Sequence, residues 1–216
     1  MKRHGSTLIG LIRHARTGWN EERRIQGQQD SPLSAAGQQA ALEWGARLQA
    51  LKWYAILCSD LGRAAATAER INRILRLPVR TDPRLREQDW GRWTGLPLAE
   101  LKKQYKTELR AQERLGWRFT PPEGESRLQV LDRTAAALEE AGRRWPGKSI
   151  LIVCHEGVIK CLLYHILGRA FLPDEPRVVE PAHLHLLEQT EKGLYLYRLN
   201  ALSLDGDPDN TEAPVE

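Results

Sequence analysis

Four residues capable of chemistry follow apolar runs in this sequence: Arg13, His14, Arg63 and His155. Guanidinium groups bind phosphate oxygens through paired hydrogen bonds and disperse the charge of a phosphoryl group in transit. A neutral imidazole is a nucleophile toward phosphorus, and a second imidazole can donate a hydrogen bond to a phosphoryl oxygen. If these side chains share one pocket, they favour phosphoryl transfer.

Such a reaction also needs a carboxylic acid. The leaving oxygen must receive a proton, and an attacking water must lose one. Glu87 is the leading candidate for this acid, and Asp89 is the second.

The apolar runs that precede these residues have the length and composition of buried strands rather than helices. The ends of parallel strands meet at one edge of a sheet, where ligands bind in open α/β folds. We therefore expect the strand ends to bring the candidate residues together. The predicted strands are Thr7–Ile12, Tyr54–Cys58, Val79–Thr81 and Ser149–Cys154, followed by a hairpin of His183–Glu188 and Leu194–Leu199.

Helical periodicity appears between the predicted strands, which indicates an α/β class with a mainly parallel central sheet flanked by helices in three layers. One helix is expected after Ser34, and another from Leu61 or Gly62 to Leu75. Two more are expected over Glu125–Arg144, with Leu128, Leu131, Ala135 and Leu138 facing inward, and over Gly157–Leu167.

Arg63 would lie in the first turn of its helix, where the partial positive charge favours an anion. We expect that helix end to attract the same phosphate that Arg63 binds.

The length of 216 residues suits one domain, which we place at residues 1–204. Residues of about 92–122 have the character of a small helical cap insertion, with a polar helical segment from Leu98 to Leu115. Residues 205–216 are acidic and are predicted to be a disordered tail.

The net charge of +4 favours anionic ligands, although the basic residues do not cluster as in a nucleic-acid-binding module. We therefore expect a small phosphorylated substrate and no nucleic acid. Three cysteines without a CxxC pair are typical of reduced thiols in a cytoplasmic protein. No apolar run approaches the roughly 20 residues of a membrane span, and no N-terminal targeting segment is convincing.

Several segments, taken in order, resemble the histidine phosphatase superfamily, which includes the cofactor-dependent phosphoglycerate mutases. The resemblance covers residues of about 8 to 168 and is specific because the whole series matches, whereas Arg-His alone would be weak. The matching segments are Leu11–Thr17 with Asn20, Gly27–Gln38, Cys58–Ala68, Leu85–Gly91, Pro122–Ser126 and Val153–Ile159.

This resemblance implies a phosphoglycerate mutase-like fold and a role for each matching residue. His14 would be the phosphorylated nucleophile, and Glu87 the acid and base. Arg13, Arg63 and His155 would surround the phosphoryl group, and Asn20 would add a hydrogen bond to it. Gln26 and Gly27 would lie near the substrate. The resemblance implies neither a metal nor an organic cofactor.

Three positions depart from the family pattern. Ala15 stands where glycine is usual, and its methyl group could either crowd the backbone near the phosphate or be tolerated if its φ is negative. Arg16 replaces an acidic or polar residue, and Glu156 replaces a glycine. We expect Arg16 and Glu156 to border the pocket mouth, where they could pair with each other and influence substrate choice.

The predicted activity is that of a phosphomonoesterase, and two alternatives stay open. For a phosphoglycerate mutase, the resemblance implies a longer insertion with extra arginines and a tyrosine-rich stretch after the acid loop, whereas residues 92–122 are short and their basic residues are scattered. A weakly active binding or regulatory relative is encouraged only by Ala15. A homodimer is also left open, because the helix from Val158 to Leu167 has enough apolar surface for a core and an interface.

Overall fold

The computed structural model describes residues 6–205, which form one six-stranded sheet with the order β3-β2-β4-β1-β5-β6. Strands β1 to β4 run parallel, whereas β5 and β6 are antiparallel additions at one edge. The mainly parallel α/β class is therefore confirmed. The strands are β1 (Thr7–Arg13), β2 (Ala55–Cys58), β3 (Val79–Thr81), β4 (Ser149–Cys154), β5 (His183–Thr190) and β6 (Gly193–Ser203).

Two pairs of long helices cover the two faces of this sheet. Alternate residues of the central strands belong to separate apolar clusters, as the pleat of a strand requires. One cluster joins the sheet to α2 and α3, and the other joins it to α6 and α7. The helices are α1 (Gly18–Glu21), α2 (Ala35–Leu48), α3 (Gly62–Leu75), α4 (Leu98–Gln104), α5 (Lys106–Glu113), α6 (Arg127–Arg144) and α7 (Glu156–Ile166).

The buried face of α6 differs from the predicted stripe. Leu131 and Leu138 are buried as expected, but Leu128 is 40% exposed and Ala135 is also exposed. The hydroxyl of Ser126 caps the helix, which therefore begins at Arg127. From that start, the face toward the core is formed by Val130, Leu131, Thr134, Ala137, Leu138 and Ala141.

Residues 92–122, predicted to be a cap, contain α4 and α5 between short 3₁₀ turns. The expected single helix is interrupted at Tyr105, whose φ of −111° and ψ of 25° are not helical. Trp93, Leu101, Leu109 and Phe119 are buried together as a cluster of their own. This region is thus held by its own apolar contacts.

Helix α7 uses its apolar side chains in the core, where six of its residues are buried, among them Val158 and Leu162. Leu167, which follows the helix, is 39% exposed, and the homodimer expectation stays a prediction. None of the helices formed by residues 6–205 combines the length and apolarity that a bilayer crossing requires.

The predicted acidic tail falls almost wholly outside the described residues. Asp205, its first residue, is an exception, because the indole Nε1 of Trp44 donates a hydrogen bond of 3.0 Å to its carboxylate.

Candidate active site

The pairing of β1 with β4 places the two histidines side by side. Arg13 lies opposite Cys154 in the parallel register, so the residue after each strand occupies the same edge of the sheet. The backbone nitrogen of His14 donates to the carbonyl of Cys154 at 2.9 Å. The ring centroids of His14 and His155 are 5.2 Å apart, and both side chains are buried.

The hydrogen bonds of His14 define which ring nitrogen can react. Nδ1 lies 2.8 Å from the carbonyl oxygen of Ala15, so it carries the hydrogen and Nε2 retains a lone pair. Burial, followed by the charges of Arg13 and Arg63, holds the pKa of His14 well below its ordinary value. The imidazole is therefore neutral at physiological pH, the state in which Nε2 is nucleophilic.

Arg63 supports that nitrogen from the first turn of α3. Its side chain is 1% exposed, and its Nε lies 3.3 Å from Nε2 of His14. Its two terminal nitrogens donate to the carbonyls of Gly27 at 2.7 Å and Gln29 at 2.6 Å. Gly27 has a φ of 51°, a left-handed conformation that favours glycine, and this turn aims its carbonyl at Arg63.

Asp30 occupies the helix end that the sequence suggested for phosphate. Its carboxylate accepts from the backbone nitrogens of Gly62 at 2.6 Å and Arg63 at 3.2 Å, and from the Arg63 side chain at 2.9 Å. The expectation that the N-terminus of α3 attracts phosphate is therefore wrong, because a carboxylate of the chain already satisfies these groups. Arg63 instead faces His14 with its Nε.

Arg13 lies at the rim of the pocket and is paired with Glu156 at 2.6 Å. Lys160, one helical turn along α7, contacts the same carboxylate at 2.5 Å. Burial raises the pKa of Glu156, but Arg13 and Lys160 outweigh it and hold that pKa below its ordinary value. The expected pair between Arg16 and Glu156 does not form, because the start of α7 lies beside the end of β1 rather than beside Arg16.

His155 is fully buried, and neither of its ring nitrogens has a hydrogen-bond partner among residues 6–205. Burial, then the charges of His14 and Arg63, hold its pKa well below the ordinary value. Buried polar atoms without partners are uncommon in proteins and are often completed by a ligand or water. The ring is thus available to a group bound beside His14.

Glu87 reaches the same edge of the sheet from the loop after β3. Its carboxylate accepts from the backbone nitrogens of Gln88 at 2.8 Å and Gly157 at 3.2 Å. A β-carbon at position 157 would lie 2.3 Å from Oε1 of Glu87, so a side chain there would require the carboxylate to move from this position. Asp89, the second candidate, accepts from the backbone of Gly91 at 2.9 Å and so serves a turn of its own loop.

Two residues that the sequence did not single out hold the loop of Glu87 in place. Arg133, on α6, binds the carboxylate of Glu125 through two hydrogen bonds of 2.7 and 2.8 Å. It also donates to the carbonyls of Arg84 at 2.6 Å and Glu87 at 3.1 Å. Glu125 belongs to a segment that matched the family pattern, but no sequence signal distinguishes Arg133 from the other arginines of α6.

Ala15 is accommodated by its surroundings. Its φ is not positive, and its methyl group is fully buried in the apolar cluster beneath α2 and α3. Its backbone nitrogen donates a hydrogen bond to the hydroxyl oxygen of Thr67 at 3.0 Å, and its carbonyl oxygen orients the ring of His14. The departure from glycine therefore leaves the hydrogen bonds of His14 intact.

The loop between β1 and α2 forms one wall of a cleft of about 560 Å³ that reaches His14. Asn20 lines this cleft, and its Oδ1 accepts hydrogen bonds from the nitrogen and hydroxyl of Thr17, both at 3.1 Å. Arg16 is exposed and lines the same cleft. Gln26 is 7% exposed, and its Oε1 has no partner among residues 6–205.

The structure thus brings together five residues predicted to be catalytic: Arg13, His14, Arg63, Glu87 and His155. Asn20 and Arg16 lie in the cleft beside them, and Gly27 supports Arg63. The geometry can place a phosphoryl group against a neutral imidazole, between guanidinium groups, near the carboxyl group that the loop after β3 brings to the start of α7. Among residues 6–205, no group of three or more metal-ligating side chains is placed to hold a metal ion.

Comparison with known proteins points to one family. A model of the histidine phosphatase superfamily (branch 1) matches residues 9–202. An uncharacterised phosphatase, PhoE of Bacillus subtilis, is 35% identical over 162 residues, covering 75% of this chain and 78% of PhoE. The probable phosphoglycerate mutase GpmB of Cronobacter sakazakii is 40% identical over 169 residues, or 74% of each chain.

The fold is shared with a solved relative. The structure of YhfR from Bacillus stearothermophilus superimposes with a TM-score of 0.83 at 31% identity, covering 92% of this chain and 98% of YhfR. The phosphoglycerate mutase-like architecture expected from the resemblance is confirmed by this match.

Proposed function

Because the chain belongs to branch 1 of the histidine phosphatase superfamily, we propose that it is a phosphomonoesterase acting on a small phosphorylated metabolite through a phosphohistidine on His14. The observation that carries this proposal is the state of His14. Its Nε2 holds a lone pair, its ring is neutral, and it lies between Arg63 and the unpartnered ring of His155.

In the first step, Nε2 of His14 attacks the phosphorus while the ester P–O bond breaks. Glu87 in its protonated form transfers its proton to the leaving oxygen, and the alcohol departs. In the second step, water attacks the phosphohistidine, and Glu87 accepts a proton from that water. The N–P bond then breaks, inorganic phosphate is released, and both residues return to their starting states.

Arg63 can stabilise the phosphoryl group without losing its own position. One of its terminal nitrogens already donates to Gln29 and Asp30, and the other donates once, to Gly27. One terminal hydrogen is left without an acceptor among residues 6–205, and the Nε hydrogen, which is donated to Nε2 of His14 at 3.3 Å, is released when that nitrogen bonds to phosphorus. Both can be donated to phosphoryl oxygens, which supports a role in the transition state.

Hydrolysis of p-nitrophenyl phosphate tests this function. We expect activity that survives a metal chelator and is abolished in His14→Ala, because the proposed route uses only side chains. Absence of turnover by the wild-type protein across about pH 5 to 8 would favour the binding or regulatory alternative.

A phosphoglycerate mutase is the second candidate, supported by the similarity to GpmB. Two observations favour hydrolysis. The segment of residues 92–122 is short, and its scattered basic residues are all exposed, with none lining the cleft that reaches His14; they are Arg92, Lys102, Lys103, Lys106, Arg110, Arg114 and Arg118. Incubation with 3-phosphoglycerate and a bisphosphate primer decides, because a mutase would isomerise faster than it releases phosphate.

The compartment is also a proposal. Cys58, Cys154 and Cys161 are unpaired and buried, and burial raises the pKa of each thiol, to about 11 for Cys58 and about 12 for Cys161. Such thiols are poorly reactive, which suits a reduced, cytoplasmic protein. The absence of a nucleic-acid partner and the possibility of a homodimer stay predictions.

A further inference from the structure

The cleft that leads to His14 has an unusual charge distribution. Arg13, Arg16, Arg23 and Arg24 all line it, whereas the carboxylate of Asp205 is the only acidic group that the described part of the chain contributes to the lining. In the proposed reaction, the transferred phosphoryl group binds Arg13 and the more deeply placed Arg63. The positive charge on the outer wall therefore exceeds what a simple phosphomonoester can match.

Two of these arginines already have partners. Arg13 is paired with Glu156 at 2.6 Å. Arg24 is paired with Glu22 at 2.5 Å and also donates to the carbonyl of Gly95 at 3.0 Å. Both guanidinium groups are thereby fixed by contacts within the protein.

Arg16 and Arg23 differ from them, because their exposed guanidinium groups form neither an ion pair nor a hydrogen bond within residues 6–205. The backbone of Arg23 is nevertheless fixed, since its nitrogen donates to Asn20 at 3.2 Å and its carbonyl accepts from Leu98 at 2.9 Å. Its φ of 54° lies in the left-handed region that glycine or asparagine adopts more easily. Arg23 therefore lines the cleft from a backbone conformation that does not favour arginine.

We propose that Arg16 and Arg23 form a subsite for a second anionic group, so that the substrate is a phosphomonoester whose alcohol portion carries a carboxylate or another phosphate. The inference rests on the proposed function and refines its substrate class. Arginine suits this role because its planar donors bind carboxylate and phosphate oxygens in pairs.

Matched substrates test the subsite. 3-Phosphoglycerate and glycerol 3-phosphate share a three-carbon skeleton and differ by a carboxylate against a hydroxymethyl group. Fructose 1,6-bisphosphate and fructose 6-phosphate differ by the second phosphate. For at least one pair we expect wild-type kcat/KM for phosphate release to be about tenfold or more higher for the ester with the second anion, and the pair that responds identifies the group.

In the double variant Arg16→Gln, Arg23→Gln, the ratio of the two kcat/KM values should fall toward one. Arg143→Gln is the matched control, because it removes an exposed arginine from the last turn of α6 and should leave the preference unchanged. The inference would be overturned if the wild type and the double variant had the same ratio of kcat/KM values, or if the wild type showed no preference in either substrate pair. In both cases, hydrolysis of p-nitrophenyl phosphate would still support the phosphatase.

If no ester is hydrolysed, the proposed function is refuted. A binding experiment still tests the subsite in that case. Calorimetry on the His14→Gln protein measures the affinity ratio within each substrate pair without turnover. We expect tighter binding of the ester with the second anion, and loss of that advantage when Arg16→Gln and Arg23→Gln are added. Equal affinities in the His14→Gln protein would contradict the subsite.

Discussion

At the scale of single residues, the reactive groups of this site depend on neighbours that need not touch the substrate. His14 takes its reactive tautomer from the carbonyl of Ala15, and Arg63 takes its direction from Asp30. Arg63 is almost fully buried, and a buried guanidinium requires acceptors for its hydrogens. The carboxylate of Asp30 both supplies one and caps α3, so we regard it as a positioning residue.

Replacing Asp30 by Asn should therefore impair catalysis more than stability. The amide keeps one acceptor but loses the charge that holds Arg63, and we expect kcat for p-nitrophenyl phosphate to fall about 10- to 100-fold through misplacement of that guanidinium. Glu69→Gln is the control, since it removes the exposed partner of Arg73 on the same helix. Similar kcat values for the two variants would show that Asp30 does not position Arg63.

The buried histidines predict how stability depends on pH. Their pKa values are depressed in the folded protein, so the unfolded chain binds more protons below about pH 6.5, and the free energy of unfolding falls as the pH drops through that window. Removing one of them in His155→Gln should make Tm less sensitive to acid between about pH 6.5 and 5.5.

Thermal unfolding followed by circular dichroism across this window measures the effect. The control is His165→Gln, which replaces an exposed histidine of α7 and should follow the wild-type curve. Parallel Tm curves for wild type and His155→Gln would contradict the account.

At the scale of elements, the site is made by the order of the strands. β4 lies between β2 and β1, so the ends of three parallel strands deliver His14, His155 and, through α3, Arg63 to one edge. These strands could be predicted because each is an apolar run followed by polar residues. The break at Tyr105 and the 3₁₀ turns could not, because no comparable periodicity marks them; these turns are Pro83–Leu85, Gly91–Trp93 and Gly116–Arg118.

Most of the reactive residues could likewise be predicted from type and order. Their supports could not, because Asp30 and Arg133 act across 33 and 46 residues of sequence, on Arg63 and Glu87 respectively. Nothing local distinguishes them from solvated surface residues. The expected pairing of Arg16 with Glu156 was wrong because contacts between distant parts of the chain decide it. Glu156, at the start of α7, lies beside the end of β1 and pairs with Arg13 instead.

Arg133 connects α6 to the loop that carries Glu87, and this connection can be tested. Arg133→Lys removes the paired hydrogen bonds to Glu125 and the donor to the Glu87 carbonyl. We expect a loss of about 1–3 kcal/mol in the free energy of unfolding, because the pair is largely buried and charged. This corresponds to a fall of about 2–4 °C in Tm per kcal/mol for a chain of this size.

Activity should fall together with stability in this variant, because Glu87 loses its support. The matched control is Arg143→Lys, on the same helix, where the arginine is exposed and its pair with Glu139 contributes little. An Arg133→Lys protein with wild-type Tm and kcat would show that the loop is held by other contacts.

At the scale of the whole molecule, the net charge of +4 is less informative than the arrangement of its arginines. Composition favoured anionic ligands, but it could not show that four arginines line a single cleft. A cleft lined by one sign of charge raises the local concentration of an oppositely charged substrate. Salt screens such attraction over about 10 Å at 0.1 M ionic strength.

We therefore expect kcat/KM for a phosphate ester to fall severalfold as ionic strength rises from about 20 to 200 mM, whereas kcat changes little. Steady-state kinetics in sodium chloride measure both parameters. A kcat/KM independent of salt would mean that the cleft does not attract the substrate electrostatically.

The central claim is that His14 carries the phosphoryl group during turnover. Acid would cleave a phosphohistidine, so the most direct test is a rapid alkaline quench of the wild-type protein with a ³²P-labelled ester, followed by mass spectrometry of the labelled peptide. The account predicts a label that is stable to alkali, labile to acid, located on His14 and absent from His14→Asn. A label on another residue, or full turnover by His14→Asn, would contradict it.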